Sequence, residues 1–485
     1  MAAWCGENLR DLEGWRASGL ALSTASNECA KLFDGALRQL VSWSDCDALG
    51  GFHKTPEDLR AADTQAVLPR AFRLGLEALG TNTCTRVNKA LKNNLEQLQK
   101  DAKEYGNERE QKHAKAALLY ADGGMAAWCG ENLRDLEGWR ASGLALSTAS
   151  NECAKLFDGA LRQLVSWSDC DALGGFHKTL ENMRTADTQA VLPRAFRLGL
   201  EALGTNTCTR VNNALKNNLE QLQKDAKEYG NEREQKHAKA ALLYADGHIR
   251  AATDIWEEIL AEYPTDLMAI KFAHEAYFFM GDMKGKKDSV QAVLPKHKGT
   301  EPCYSYLYGM QAFGLEECEQ YDEAEKAAVK ALNLNRFDSW ATHARAHCML
   351  MQGRISEGID FMESTVDEWR QGWIIATHNY WHKALFYIEK GDFETSLTVF
   401  DDEVCRRFNN SKHVLDMADS ASLLWRLEME GVDVGKRWHD LPNMSTHKND
   451  HVTCFNDAHL GITLTRQEDA GNESDLYNTL LDFTK

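Results

Sequence analysis

A turn residue recurs along the second half of this chain, at Gly247, Gly281, Glu319, Gly353 and Gly391. The separations are 34, 38, 34 and 38 residues. Each turn is followed two residues later by an apolar or aromatic residue: Ile249, Met283, Tyr321, Ile355 or Phe393. Seven residues before it stand Ala240, His274, Ala312, Ala346 and Ala384, and five after it Ala252, Lys286, Ala324, Gly358 and Ser396. Small residues at these two places let the helices before and after the turn approach closely. Nine after the turn come Trp256, Val290, Ala328, Met362 and Phe400, which fill the space between successive units. The unit around Gly281 fits worst, because His274 and Lys286 stand where small residues belong. Five occurrences in phase predict a stack of antiparallel helix pairs.

Thirty-four residues is the period of the tetratricopeptide repeat, a helix–turn–helix unit. The predicted fold class is therefore all-α, a tetratricopeptide-type α-solenoid, with repeats over residues 233–410. The rest of the sequence is also helical in pattern. Phe33, Ala36, Leu37, Leu40 and Val41 form one amphipathic stripe with Ser26 as the expected N-cap, and Phe157, Ala160, Leu161, Leu164 and Val165 repeat that stripe.

That second stripe belongs to a larger duplication. Residues 1–123 match 125–247 with five differences: Pro56/Leu180, Asp58/Asn182, Leu59/Met183, Ala61/Thr185 and Lys89/Asn213. Surface residues are copied as faithfully as core ones, which is unlike the degenerate periods of stacked repeats. The copy ends at "REQKHAKAALLYADG", helix A of the first unit. Helix B, "IRAATDIWEEILAEYP", follows only the second copy, so the duplication cuts a repeat in half. It reads as a genomic or gene-model event. The rival is a real tandem module, with copy one acting as a cap or a dimerising arm. The expected organisation is a duplicated helical segment at 1–124, the N-terminal segment of the solenoid at 125–232, the repeats at 233–410, and C-terminal helices at 411–485. Copy one should leave the apolar face of "AKAALLYA", with Leu118 and Leu119, unmatched, which makes self-association through copy one an expectation.

The net charge is −18, which argues against nucleic acid or an anionic membrane as the main partner. The 13 cysteines show no metal or redox spacing and read as reduced thiols. The N-terminus has no signal-peptide pattern, and no apolar run is long enough to span a bilayer. The expected location is the cytoplasm. P-loop, dinucleotide, serine-hydrolase and H-E-x-x-H motifs are all missing from the sequence.

The stretches "LSTASNECAKLFD", "YPTDLMAIKFAHEAYFFMG", "THNYWHKALFYIEKGDF", "MEGVDVGKRW" and "FNDAH" resemble the tetratricopeptide repeat protein 38 family, over residues 125 to about 459. The resemblance implies an α-superhelical fold and a cytoplasmic protein, and little about chemistry. This chain departs from the family in its doubled N-terminal segment and in a C-terminus that is truncated by comparison.

The fold resemblance implies that positions 2, 5 and 9 of each helix A line a concave groove. The middle of that groove would carry Trp340, His343 and His347 on one helix and His378 and Trp381 on the next, with His382 beside them. Tyr306 and Phe313 occupy positions 2 and 9 of the preceding unit. His343/His347 and His378/His382 are both i, i+4 pairs, so four imidazoles could meet. They could pack as an aromatic-rich seam, line a ligand groove, or hold a metal or supply a general base. The family stretch resembles H-x-x-A-H-x-H-E, whereas this chain has Met349 and Leu350 in place of its last histidine and glutamate. The sequence therefore assigns no catalytic residue, no metal ligand and no cofactor. It reads as a non-enzymatic repeat protein whose groove takes a peptide, a protein segment or a small partner. The alternative is a small-molecule-binding or metal-assisted enzyme using the His/aromatic cluster.

Overall fold

The computed structural model describes residues 8–42, 46, 49, 54–80, 89–121, 130, 132–204 and 207–484. Among them every regular element is helical. The chain divides into two units, Met1–Trp128 and Cys129–Lys485.

Unit 1 contains α1 (Leu12–Ala17), α2 (Asn27–Ser42), α3 (Thr55–Ala62), α4 (Val67–Gly80), α5 (Lys89–Tyr105) and α6 (Glu108–Ala121). Ser26 caps α2 as expected, its hydroxyl accepting from Cys29 N at 3.0 Å. Unit 2 begins with the second copy: α7 (Leu136–Ala141), α8 (Asn151–Ser166), α9 (Phe176–Ala186), α10 (Val191–Ala202), α11 (Asn213–Tyr229) and α12 (Glu232–Ala245). The copies share their local bonds. Trp15 Nε1 donates to Ala30 O, and Trp139 Nε1 to Ala154 O, both at 3.1 Å. One sequence difference is visible in the backbone. Lys54 is the N-cap of α3, whereas its counterpart Lys178 already lies inside α9. Pro56 has no N–H for a helix interior, and Leu180 does.

Unit 2 continues with α13 (Ile249–Glu262), α14 (Leu267–Met280), α15 (Met283–Val293), α16 (Tyr304–Glu316), α17 (Tyr321–Leu334), α18 (Ser339–Met351), α19 (Ile355–Ser364), α20 (Val366–Trp369) and α21 (Ile374–Lys390). It ends with α22 (Phe393–Val399), α23 (Arg406–Ser411), α24 (Val414–Met429), α25 (Arg437–Asp440), α26 (Cys454–Arg466) and α27 (Ala470–Phe483). At each of the five turns the turn residue has positive φ, from 59° at Glu319 to 84° at Gly247. Its N–H bonds the carbonyl three residues back, and the next N–H bonds the carbonyl five residues back. Gly281 N to Phe278 O (3.0 Å) and Asp282 N to Tyr277 O (2.9 Å) are one instance. The same pair recurs at Gly431 (φ 81°) and Glu468 (φ 58°). The repeat geometry therefore runs on past residue 410, at spacings of 40 and 37 residues. This is a tetratricopeptide-type α-solenoid.

The interior follows the phase read from the sequence. Trp256, Val290, Ala328, Met362 and Phe400 are all completely buried. So are Ala240, Ala252, Ala312, Ala324, Ala346, Ala384 and Ser396 at the close approaches. The packing is tight: a Cβ on Gly358 would stand 2.1 Å from the Phe386 ring. Ala384→Trp is expected to destabilise the fold by about 1–3 kcal/mol through overpacking. A urea unfolding midpoint that does not move would contradict the phase.

The C-terminal segment of unit 2 closes onto the connection between α10 and α11. Arg210 donates to the backbone carbonyls of Asp450 and His451, the latter at 3.1 Å, and its guanidinium lies 4.4 Å over the Phe483 ring. The α8 helix packs on α14. Trp167, in left-handed conformation at the end of α8 (φ 52°), reaches across the unit. Its carbonyl accepts from Trp373 N at 2.9 Å, and its ring stands edge-on to Trp340 at 5.4 Å.

Candidate functional site: a histidine–tryptophan cluster

The site is built on α18 and α21. Asp338 caps α18, its Oδ1 accepting from Trp340 N (3.1 Å) and Ala341 N (3.0 Å). Burial raises the pKa of this carboxyl to about 7, against those two N–H bonds and Lys271. Asn379 Nδ2 on α21 donates to Ser339 O at 3.2 Å and ties the two helices together. With α18 fixed, Trp340, His343 and His347 fall on one face by i, i+3 and i, i+4 spacing. On α21, His378, Trp381 and His382 do the same.

The structure brings these six rings together. His343 lies 5.0 Å from His378 and 4.8 Å from His382, centroid to centroid. His347 lies 5.9 Å from His343 and 5.3 Å from His382. Trp340 is edge-on to His343 at 5.5 Å, and Trp381 stacks on His378 at 5.2 Å. Phe313 joins by stacking on Trp340 at 4.9 Å. Tyr306 is buried seven residues earlier on the same helix, about 10 Å along its axis.

One expectation changes. An open groove would expose all seven candidates, but Tyr306, Phe313 and His343 are only 3–4% exposed. Trp167 and the helices leading to it fill that part of the concavity. Trp340, His347, His378 and Trp381 remain half-buried and present surface.

Carboxylates from neighbouring helices orient two of the histidines. Asp419 Oδ1 on α24 lies 2.9 Å from His378 Nδ1, and buried Glu316 on α16 pairs with His347 Nδ1. Trp381 Nε1 donates to Ser422 Oγ at 2.8 Å. Burial pushes His343 and His382 well below the ordinary imidazole pKa, and the surrounding histidines add to the effect. Burial acts the same way on His378, but Asp419, Glu316 and Glu317 outweigh it and raise its pKa.

Beside the cluster lies a group that the repeat pattern marked only as a poor fit. Lys286 is completely buried, its Nζ 2.8 Å from the Phe313 ring centroid, with no hydrogen-bond partner among the described residues. Burial pushes its pKa down to about 7, against the pull of Glu317, Glu275 and Glu316. Lys271 pairs with Glu275 and lies 5.2 Å from the Trp167 ring and 5.6 Å from that of Trp340. Asp419, Glu316 and Trp167 were not singled out from sequence. The step from Gly391 to Gly431, once recognised, places Asp419 on the next helix A, whereas Trp167 carries no local signal.

No family model matches the chain. Similar solved structures include a tetratricopeptide repeat protein from Parabacteroides merdae ATCC 43184. It is 14% identical over 56% of this chain and 99% of that one, with TM-score 0.37. Another is YrrB, a TPR protein with an unusual peptide-binding site, at 19% identity over 40% and 94%, with TM-score 0.27. A third is the APC/C hetero-tetramer Cut9–Hcn1, at 12% identity over 96% and 91%, with TM-score 0.41.

Proposed function

We propose that this is a non-enzymatic tetratricopeptide-type protein that takes a peptide end or a small partner at the His/Trp cluster. One observation carries the proposal. Four side chains able to stack or hydrogen-bond – Trp340, His347, His378 and Trp381 – stay half-exposed together on the adjacent helices α18 and α21. A rigid aromatic with a polar edge is an effective anchor. Because Trp167 fills part of the concavity, the surface suits a short segment or a small molecule better than a long extended peptide.

The stretches quoted above support membership of the tetratricopeptide repeat protein 38 family and a cytoplasmic location. No helix among the described residues is long and apolar enough to cross a membrane. The segment boundaries near residues 124 and 232 remain part of this reading, with the C-terminal helices after 410 read as a continuation of the repeats, and so does self-association through copy one. The first boundary lies close to the division at Trp128/Cys129.

The test is calorimetric titration of the chain against arrays of short peptides and aromatic small molecules, repeated with Trp340→Ala and Trp381→Ala. A ligand found this way should lose at least about tenfold in affinity in each variant, or about 1.4 kcal/mol. Equal affinity for wild type and both variants would contradict the proposal.

A further inference from the structure

The ligand atoms of His343, His378 and His382 all lie within 4.8 Å of one another. A tetrahedral zinc-class ion, with metal–nitrogen bonds of about 2.0–2.1 Å, holds its ligand nitrogens about 3.3 Å apart. Rotation of the rings about their own side-chain bonds by about 1 Å would close the difference.

Proximity alone would not distinguish a metal site from packed histidines; His382 adds a second observation, because both of its ring nitrogens lack partners among the described residues. A buried packing histidine ordinarily gives its N–H a partner. His382 is 1% exposed, and neither of its ring nitrogens has one among the described residues. His343 is 3% exposed, and its Nδ1 also has none among the described residues. These are orphaned polar atoms inside the cluster. The third histidine has the complementary feature. Asp419 engages His378 Nδ1, which directs Nε2 away from that carboxylate, and a carboxylate behind a ligating histidine is the usual supporting arrangement around zinc. Glu316 and Asp419 supply negative charge to offset a divalent cation.

We propose that His343, His378 and His382 bind one divalent cation of the zinc class, leaving a fourth coordination position for water or for a donor atom of a bound partner. All-imidazole ligation favours zinc, cobalt, nickel or copper over magnesium or calcium. His347, held by Glu316, stays outside the ligand set. The cation would share the surface proposed for the partner, yet the test needs no partner, so either idea can fail alone.

The test uses the full chain, stripped with chelator and titrated with Co²⁺ alone. The expected result is a visible ligand-field spectrum saturating near one equivalent and bleached by added Zn²⁺. His378→Gln and His382→Gln should abolish it, while His347→Gln should leave it in place. If the buried-histidine variants do not fold, Asp419→Asn decides. It keeps the side chain's shape and should weaken Co²⁺ binding about 10–100-fold with unchanged circular dichroism. The proposal is overturned by the absence of a saturable spectrum, or by one that persists unchanged in His378→Gln and Asp419→Asn.

Discussion

Replacing Asp266 by alanine is expected to cost unit 2 about 3–5 kcal/mol of folding stability. Asp266 is 2% exposed and sits between two other buried groups, Arg233 (3%) and His237 (0%). Its Oδ2 lies 2.7 Å from Arg233 Nη1 and 3.0 Å from His237 Nε2, and its Oδ1 caps α14 by accepting from Ala269 N at 2.9 Å. Alanine would leave the guanidinium buried with, among the described residues, the Leu144 and Ala145 carbonyls alone, at 3.0 and 3.2 Å. An uncompensated buried charge is what makes removal of one partner so costly. Burial alone would raise the Asp266 pKa, but His237, Arg233 and the Ala269 N–H reverse that and hold it well below the usual carboxylate range. The stabilisation is therefore fully present above the unfolded carboxylate pKa of about 3.9 and is lost as pH falls below it. Hydrogen exchange across α12–α14 should show wild type and variant far apart at pH 7 and converging below about pH 4. His113 occupies the position equivalent to His237 in copy one and is exposed. His113→Ala should change stability by less than about 0.5 kcal/mol.

Deleting residues 1–124 is expected to leave the remainder folded and to raise its solubility. The second copy is completed by the units that follow it. Phe196 is fully buried and meets Phe272 at 6.0 Å, and a Cβ on Gly199 would lie 2.7 Å from the Phe272 ring. In copy one the counterpart Phe72 is only half-buried, and among the described residues the one atom within 4 Å of a Cβ on Gly75 is the Cβ of Ala117, at 3.9 Å. The side chains of Leu118 and Leu119 lie outside the described residues. A helix face made to receive a following repeat either finds an equivalent surface on another chain or stays adhesive. Light scattering and yield should show residues 125–485 as less associated than the full chain, with unit 2 melting at the same temperature. Unfolding of the remainder would mean that copy one is integral to the solenoid.

The sequence made the repeat phase readable because turn geometry and close helix approach each demand a particular residue at a fixed offset. Gly247, Gly281, Gly353 and Gly391 take positive φ, and Glu319 does so without being glycine. The turns at Gly431 and Glu468 break the 34/38 alternation, with steps of 40 and 37 residues, and the second is marked by a glutamate rather than a glycine. In the site, i, i+4 spacing and position within the repeat grouped His343, His347, His378 and Trp381. What stayed hidden depends on contacts distant in sequence. Asp419 lies 41 residues from His378, and Trp167 is carried onto Trp340 and Trp373 by a left-handed residue at the end of a helix. Lys286 looked like a flaw in the repeat pattern, yet it is accommodated under the Phe313 ring.

Site-specific photo-crosslinking tests the central claim, that the functional surface is the interior cluster of unit 2, most directly. A photoreactive phenylalanine analogue would replace Trp381 in one variant and Met429, which is 73% exposed, in another. Both would be irradiated with a ligand found by titration. The expected result is covalent attachment at position 381 that is competed by excess unlabelled ligand, and none at 429. Attachment at 429 with none at 381 would place the binding surface elsewhere and contradict the account.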